Sequence, residues 1–403
     1  MPGRSRHMAL RAPERVLVIR LSAIGDVVRT LPAVIALRRA LPDAHLAWLV
    51  EEGAAEALAG HPDIDTLWII PRRRWRDGLR SWRTAPATLR DMIAFARRLR
   101  AARFDWVVDF HGILKSGLWA MATGAPLRAG YEAGGNRGWG SREGNRLFTN
   151  RRAAVPMRRI SRFDRNAILA RFVWTELLGR DASTCPVAPG GSLLPVASSV
   201  QAEIDRWLEA TAPEASGGDP PSGGYVAVHP GSSESTAYKR WFPERYGDVA
   251  DALIERGFRV IFTWGPGEKA SVESIVSAMM HPALIAPETP SLQHLGAIFR
   301  RCRLLIGNDT GPMHIAALSG TPVVAVFGPT DAIENAPYAG VPSIVVRKDV
   351  GCRCPKRRCL TRACFEAVDA KDVLDAALGI LGEPSGAGLC SASRAAGERR
   401  THE

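Results

Sequence analysis

Residues 304–327 restrict the possible folds more than any other part of the sequence. An apolar run, Leu-Leu-Ile-Gly, leads into Asn-Asp-Thr-Gly-Pro-Met-His, then an alanine-rich stretch and a second apolar run, Val-Val-Ala-Val-Phe. This order predicts a buried strand, a tight turn, a short helix that begins near proline, and a second buried strand. Unpaired N–H groups at a helix start favour an anion such as phosphate. The segment therefore predicts a phosphate-binding turn on a parallel α/β sheet.

The same alternation of strands and helices runs through both halves of the chain. Strands are predicted at 15–20, 46–50, 67–70, 106–110, 225–228 and 259–263. Helices are predicted at 27–41, 89–102, 200–208, 243–256, 270–280, 292–301 and 367–381. This pattern favours βαβ units, and a chain of 403 residues is long enough for two such domains. Two facing α/β domains hold a ligand in the cleft at their strand ends.

Composition suggests where the domains begin and end. We predict a flexible N-terminus at 1–13, a first α/β domain at 14–190, an inter-domain region at 191–222, a second α/β domain at 223–365, a final helix at 366–382 and a disordered tail at 383–403. No apolar run is long enough to span a bilayer, and no secretory signal is evident. We therefore expect a cytoplasmic protein with mostly reduced cysteines.

Positive charge is concentrated in the first half of the chain. Residues 1–200 contain 32 Lys and Arg against 17 Asp and Glu, whereas residues 201–403 contain 21 against 24. The asymmetry predicts an anionic partner for the first half, such as nucleic acid, an acidic glycolipid or a membrane surface. A high-GC genome would explain 47 arginines against 6 lysines, but it would not explain the asymmetry.

Three loops in the second half follow predicted strands and are rich in small residues, at 230–233, 265–268 and 308–311. Small residues let a ligand approach backbone N–H groups, so together the loops predict a nucleotide or diphosphate site. Neither a P-loop nor a complete Gly-x-Gly-x-x-Gly motif is present. Lys239 either neutralises charge on a leaving diphosphate or is a solvated surface lysine. His314 either serves the site or only contacts the backbone at the helix start.

The first half offers a candidate base and a candidate anion pocket. Asp26 follows the first strand, and it is either a helix N-cap or a general base facing the second half. Lys115, the only lysine in residues 1–200, lies in the strand-end sequence Asp-Phe-His-Gly-Ile-Leu-Lys-Ser at 109–116. With nearby arginines it either lines a pocket for an anionic acceptor or is solvated. The candidate acceptor-binding residues are Lys115, Arg72, Arg128 and Arg137.

Four cysteines lie within thirteen residues, at Cys352, Cys354, Cys359 and Cys364. Their spacing matches no common zinc signature and no histidine joins them, so packed thiols are favoured over zinc. We predict no metal and no cofactor.

Together these motifs resemble glycosyltransferase family 9, the lipopolysaccharide heptosyltransferases. The resemblance covers residues 14–382 and rests on Ile-Arg-Leu-Ser-Ala-Ile-Gly-Asp at 19–26, the 109–116 sequence, His-Pro-Gly-Ser-Ser at 229–233 with Lys239, and Asn-Asp-Thr-Gly-Pro-Met-His at 308–314 with Phe-Gly-Pro-Thr-Asp at 327–331. It implies a GT-B fold, in which two Rossmann-like domains face each other and the last helix returns to the first.

The resemblance also implies an activity and residue roles. Heptose would move from ADP-heptose to the inner core of lipopolysaccharide, with inversion and without a metal. Asp26 would be the general base, and Lys239 with the helix start would stabilise the departing diphosphate. The ADP-sugar would be bound by Ser232, Ser233, Lys239, Glu268, Asp309, Thr310, Gly311 and His314. The basic first half would face anionic lipid A bearing Kdo and phosphate, on the cytoplasmic side of the inner membrane, and the enzyme would be a monomer that binds no nucleic acid.

Two alternatives stay open at this point. One is a GT-B enzyme that uses another nucleotide sugar. The other is a basic protein that binds nucleic acid or anionic membranes, although the sequence has no recognisable nucleic-acid-binding motif and this alternative leaves the three loops unexplained.

Overall fold

The computed structural model describes residues 10–132, 141–186, 190–211, 223–352 and 361–382. Within these ranges the strands form two six-stranded, fully parallel sheets. The strand orders are β3-β2-β1-β4-β5-β6 and β12-β11-β10-β7-β8-β9, so each sheet has its first strand near the centre. Because all strands in a sheet point the same way, their carboxyl ends share one edge, where ligands bind in such folds.

The first sheet comprises β1 (Arg15–Ile19), β2 (His45–Glu51), β3 (Thr66–Ile70), β4 (Trp106–Asp109), β5 (Leu127–Tyr131) and β6 (Arg151–Ala153). Its helices are α1 (Ile24–Val28), α2 (Leu31–Ala40), α3 (Glu52–Ala55), α4 (Arg72–Gly78), α5 (Ala85–Ala101), α6 (Leu114–Ala122) and α7 (Arg162–Phe172). The central strands read as apolar runs because helices cover both faces of the sheet.

The second sheet comprises β7 (Tyr225–His229), β8 (Arg259–Phe262), β9 (Leu284–Ile285), β10 (Cys302–Asn308), β11 (Val323–Val326) and β12 (Ser343–Val346). Its helices are α8 (Ser198–Ala210), α9 (Pro243–Ile254), α10 (Lys269–Ala278), α11 (Leu292–Arg300), α12 (Gly311–Leu318), α13 (Ala363–Glu366) and α14 (Ala370–Leu381). None of the helices in the described ranges is both long and apolar enough to cross a bilayer.

Two predicted helices differ in extent from those in the structure. The helix predicted at 27–41 is α1 followed by α2, and the break falls just before Pro32, which occupies the first turn of α2. Proline lacks an N–H group and suits a helix start. The helix predicted at 367–381 begins three residues later, as α14 at Ala370, because Asp369 caps α14 and forms a capping box with Asp372. The short helix α13 ends at Glu366, just before the predicted range.

The resemblance implied a final helix that returns to the first domain, but α14 packs on the second domain instead. The apolar face of α14 packs on the second sheet, where Val373, Ala377 and Leu381 join the core formed with α9. The inter-domain segment also belongs with the second half, since α8 packs on α11 and Asp205 pairs with Arg301. A larger apolar core includes buried residues from both halves of the chain.

Candidate active site

The carboxyl ends of both sheets meet where α1 of the first domain packs on α12 of the second. β1 leads into α1, which carries Asp26, and β10 leads into the turn before α12. The structure thus brings together the strand-end motifs that the sequence analysis selected from the two halves.

Asp26 lies in the first turn of α1, where the N-cap position belongs to Ala23, so the N-cap interpretation is wrong. Three guanidinium groups surround its carboxylate: Arg20 at 2.6 Å, Arg162 at 2.9 Å and Arg29 at 3.2 Å. Burial raises the pKa of the Asp26 carboxyl, but these charges outweigh burial and hold the pKa well below its ordinary value. The carboxylate is therefore ionised throughout the physiological pH range.

Arg29 links Asp26 to the second domain. Its guanidinium contacts Nε2 of His314, which is fully buried and packs edge-on against Phe163 at 5.8 Å between ring centroids. Burial, together with the charges of Arg29 and Lys239, holds the pKa of His314 well below its ordinary value. The imidazole is therefore neutral, and its Nε2 accepts a hydrogen bond from the Arg29 guanidinium. Burial also lowers the pKa of Arg29, to about 10.

Lys239 lies against the turn that precedes α12. Its Nζ is 3.0 Å from both the backbone oxygen and Oδ2 of Asp309. Asp309 is buried, and only 17% of the Lys239 side chain is exposed. Lys239 is therefore fixed by Asp309 at the predicted diphosphate site, and it is not a solvated surface lysine.

The start of α12 is open to a ligand. Thr310 is its N-cap residue in extended conformation, and its hydroxyl does not cap the helix. Gly311 is exposed, and no atom lies within 4 Å of the position that a Cβ would take there. An anion can therefore reach the first backbone N–H groups of α12, which are positively polarised.

The two predicted serines differ in their surroundings. Ser232 is buried, donates to the backbone oxygen of Thr236 at 3.0 Å and accepts from Nε of Arg240 at 3.2 Å. Ser233 is exposed, and its hydroxyl bonds that of Thr236 at 2.8 Å. The side chain of Ser232 thus shapes the loop, while Ser233 is the serine that a ligand can reach.

Glu268 joins the loops that follow β7 and β8. Its Oε2 accepts from the backbone N of Gly265 at 2.8 Å and lies 3.6 Å from Nε2 of His229. Burial lowers the pKa of His229 to about 4, so this imidazole is neutral near pH 7. A Cβ at Gly231 would lie 2.0 Å from Glu268 Oε2, so a larger residue there would displace this carboxylate.

Asn308, at the end of β10, ties two of the three loops together. Its Oδ1 accepts from the backbone N of Trp241 at 2.9 Å, and its Nδ2 donates to the backbone oxygen of Pro230 at 2.9 Å. The side chain is fully buried. Asn308 therefore holds the 230–233 loop against the turn that contains Asp309.

Two of the predicted acceptor-binding cations meet on one carboxylate. Glu51 ends β2 and is almost buried; Nζ of Lys115 contacts its Oε1, and Nη1 of Arg72 lies 2.8 Å from its Oε2. Lys115 and Arg72 remain about half exposed at the edge where the strands end. An anion that reaches this edge meets the two cations Lys115 and Arg72, whose charges are only partly neutralised by the single carboxylate of Glu51.

The other two predicted cations do not join this pair. Arg128 is the second residue of β5, near the amino end of the sheet, and its guanidinium donates to the backbone oxygens of Phe148 and Ala125 at 2.7 and 2.5 Å. It supports the backbone there, away from the cleft edge. Arg137 lies outside the described residues.

Asp109 organises the 109–116 loop. It ends β4, is fully buried, and accepts hydrogen bonds from the backbone N of His111 at 2.9 Å, from Oγ of Ser116 at 2.7 Å and from Nδ2 of Asn145 at 2.8 Å. Burial outweighs these bonds and raises the pKa of the Asp109 carboxyl. Its role is to fix the loop that presents Lys115.

Within the described ranges, no three His, Cys, Asp or Glu side chains lie close enough to hold a metal ion. Cys352 is exposed and Cys364 is buried, whereas Cys354 and Cys359 lie outside the described residues. The preference for packed thiols over zinc stays a prediction.

Several residues of the site were not predicted from the sequence. Arg29 had a usable signal, because it follows Asp26 by one helical turn. Arg162 contacts Asp26 from 136 positions away, and Glu51 meets Lys115 from 64 positions away, so no local pattern identifies them. Asn308 stood inside a selected motif, but its bridging role depends on where the neighbouring loop lies.

Known proteins are similar to this chain in sequence and in fold. The sequence profile of glycosyltransferase family 9 (heptosyltransferase) matches residues 92–362. Lipopolysaccharide heptosyltransferase 1 of Pseudomonas aeruginosa is 29% identical over 350 residues, which cover 86% of this chain and 87% of that protein. The lipopolysaccharide core heptosyltransferase OpsX of Haemophilus influenzae is 24% identical, with 83% of this chain and 84% of that protein covered.

Solved structures agree on the fold. A family 9 glycosyltransferase from Veillonella parvula superposes with a TM-score of 0.70 at 23% identity, covering 93% of this chain and 99% of that one. The E. coli heptosyltransferase WaaC with ADP gives a TM-score of 0.62 at 24% identity, covering 88% and 97%. The GT-B prediction is thereby confirmed. Since the family profile spans most of the chain and the relatives match along nearly their whole length, the protein belongs to glycosyltransferase family 9, the heptosyltransferases, and is a glycosyltransferase.

Proposed function

We propose that this enzyme transfers L-glycero-D-manno-heptose from ADP-heptose to the inner core of lipopolysaccharide, with inversion and without a metal ion. The observation that supports this most is the chain of contacts from Asp26 through Arg29 to His314. It places a carboxylate of the first domain opposite the open start of α12, beside Lys239. A base and a leaving-group site on opposite sides of one cleft suit transfer between two substrates.

The second domain would hold the donor. The diphosphate would accept hydrogen bonds from the backbone N–H groups at Gly311, with the ammonium of Lys239 beside it. As the anomeric C–O bond breaks, ADP takes the bonding electron pair, and these groups stabilise the added charge. E. coli WaaC has been solved with ADP and with a fluorinated ADP-heptose analogue, which supports an ADP-linked sugar as the donor.

Asp26 would take the proton of the acceptor hydroxyl. Its lowered pKa makes it a weak base in the free enzyme. A weak base suffices when the leaving group departs first, because the hydroxyl becomes strongly acidic as its oxygen bonds the anomeric carbon. Arg162, whose side chain is 40% exposed, is the most accessible of the three guanidiniums, so we expect it to give way to the incoming hydroxyl.

The acceptor would bind at the cleft edge of the first domain, where Lys115 and Arg72 can meet phosphate or the carboxylate of Kdo. A lipid-linked acceptor implies work at the cytoplasmic face of the inner membrane. The names of the relatives support lipopolysaccharide as the substrate class.

The test is Asp26→Asn, which removes the basic carboxylate but keeps its shape. We expect transfer to slow by about 10²- to 10⁴-fold, while ADP affinity, measured by calorimetry, stays within a few-fold. Retained ADP binding shows that the variant has folded, so near-normal turnover in that variant would refute the base assignment.

The nucleotide and the acceptor are tested separately. ADP should raise the thermal unfolding midpoint more than UDP or GDP at equal concentration, and a larger shift with UDP would point to another nucleotide sugar. Parallel assays with Kdo-lipid A and with heptosylated core then identify which heptose is added.

A further inference from the structure

The outer helical layer of the first sheet forms a surface that the proposed reaction does not use. Helices α4, α5 and α6 are joined beneath this surface by the rings of Trp75, Phe95 and Trp119, whose centroids are 5.4–5.9 Å apart. These contacts hold the three helices side by side. We call their solvent side, with the loop 79–84, the α4–α6 face.

Apolar side chains point outward along this face. On α6, Leu114, Leu118 and Met121 are 42–51% exposed and follow the i, i+4, i+7 spacing of one helix face. On α5, Leu89 and Ile93 lie one turn apart and are 50–51% exposed. The outward face of a helix in a water-soluble protein is ordinarily polar, so two adjacent apolar rows indicate a surface meant to be covered.

An aromatic residue extends the same face. Trp82, in the loop between α4 and α5, is 81% exposed. Exposed tryptophan is favoured where an apolar phase meets water, because its ring is amphipathic.

Arginines surround the apolar rows. Residues 72–100 contain ten arginines and two aspartates, with no lysine and no glutamate. Both aspartates are already paired within the segment, Asp91 with Arg74 and Asp77 with Arg76. The remaining arginines include Arg90 and Arg97, which are exposed on α5 close to Leu89 and Ile93 in the helical repeat.

We propose that the α4–α6 face docks on a lipid bilayer that bears anionic headgroups. The leucine, isoleucine, methionine and tryptophan side chains enter the interface, and the arginines bind lipid phosphates. A nucleic acid would engage the arginines but would leave the apolar rows in water, so the bilayer accounts for both features.

Docking through this face would place the acceptor end of the cleft next to the bilayer. Arg72 begins α4 and Lys115 lies in the first turn of α6, so the cleft ends of both helices carry the cations that meet on Glu51. The acceptor end of the cleft therefore borders the docked surface. Only the identity of that acceptor rests on the proposed function; bilayer binding by this face does not.

The experiment is co-sedimentation of the full-length protein with vesicles of phosphatidylglycerol and phosphatidylcholine, and with vesicles of phosphatidylcholine alone. The apolar variant is Leu118→Ser with Met121→Ser, and the charge variant is Arg90→Gln with Arg97→Gln. The control is Met280→Ser, because Met280 is 78% exposed but belongs to the second half of the chain.

We expect binding to the mixed vesicles to fall at least about ten-fold in the apolar variant. In the charge variant we expect vesicle binding to fall about five-fold for each arginine removed. Added salt should remove this difference between the charge variant and the wild type, because it screens the arginines. The control should bind like the wild type. Unchanged binding in both variants, or equal binding to phosphatidylcholine alone, would overturn the proposal, as would binding of an oligonucleotide in place of the vesicles.

ADP affinity of the same variants separates this proposal from the proposed function. Unchanged ADP affinity shows that the variants are folded, so that a loss of vesicle binding then supports the docking face. Vesicle binding by a wild-type protein that binds no ADP would overturn the donor assignment and leave the docking face standing.

Discussion

Replacing Asn308 by alanine tests whether one buried amide holds the donor loops together. The change removes the partners of the Trp241 N–H and the Pro230 carbonyl, which Asn308 satisfies at 2.9 Å each. Each buried polar group left unpaired costs about 1–3 kcal/mol. Because the side chain is fully buried, water cannot replace it, and we expect the free energy of unfolding to fall by about 2–6 kcal/mol.

Gln293→Ala is the matched control. The Gln293 amide also bridges two backbone groups, accepting from Ala197 N at 2.9 Å and donating to Ala59 O at 3.1 Å. Gln293 is only partly buried, so water can take over both bonds and the cost should stay below about 1 kcal/mol. Equal losses in the two variants would mean that burial does not set the cost.

The assays are urea denaturation followed by tryptophan fluorescence and calorimetric titration with ADP. Since Asn308 joins the 230–233 loop to the turn before α12, ADP affinity should fall at least about ten-fold in Asn308→Ala and stay unchanged in Gln293→Ala. Asn308→Asp keeps an acceptor for Trp241 but loses the donor to Pro230 when ionised, so its stability should improve as the pH falls towards 5. Wild-type stability and ADP affinity in Asn308→Ala would refute the reasoning.

Three further outcomes follow from the site. Gly231→Ala would place Cβ 2.0 Å from Glu268 Oε2, so ADP affinity should drop, whereas Gly53→Ala, where no atom lies within 4 Å of the added Cβ, should bind ADP like the wild type; unchanged affinity in Gly231→Ala would contradict this reasoning. Because burial lowers the pKa of His229 to about 4, folding favours the neutral ring: its stabilisation is complete above about pH 6.5 and is lost as the pH falls towards 4, at up to about 1.4 kcal/mol per pH unit. Urea denaturation across this range should therefore show that the free energy of unfolding depends less steeply on pH in His229→Gln than in the wild type. The same steepness in both proteins would contradict the lowered pKa of His229. Finally, EDTA should leave heptose transfer unchanged, and restoration of a lost activity by Mg²⁺ would contradict a metal-free reaction.

The central strands of both domains were predictable because their residues are apolar without alternation. β1, β4, β7 and β10 all lie within runs that the sequence marks clearly. β5 and β6 were not predicted: β6 is an edge strand of three residues, two of them arginines, and β5 beside it carries Arg128 and Gly130 in place of a continuous apolar run. A strand that is buried on both faces is a continuous apolar run and is easily recognised in the sequence. An edge strand such as β6 is positioned by its backbone hydrogen bonds to the neighbouring strand, which the sequence does not show.

The site was predictable as motifs but not as contacts. Lys239 and Asp309 were both selected, yet their direct pairing became visible only in the fold. His314 was expected to bind the donor, but its Nε2 contacts Arg29 of the other domain. The final helix was assigned to the wrong partner because an amphipathic face shows that a helix packs, but not on which sheet.

The pairing of Glu51 with Arg72 and Lys115 means that the association rate and the residence time of an anionic acceptor depend on different residues. Arg72 and Lys115 share the charge of Glu51, so their hold on a bound phosphate is weaker than two unpaired cations would give. The arginines of the α4–α6 face supply long-range attraction, which acts on the encounter rate. Encounter and residence are thus controlled by different residues. On the proposed function, product release need not slow as attraction grows, and the two rates can be altered independently.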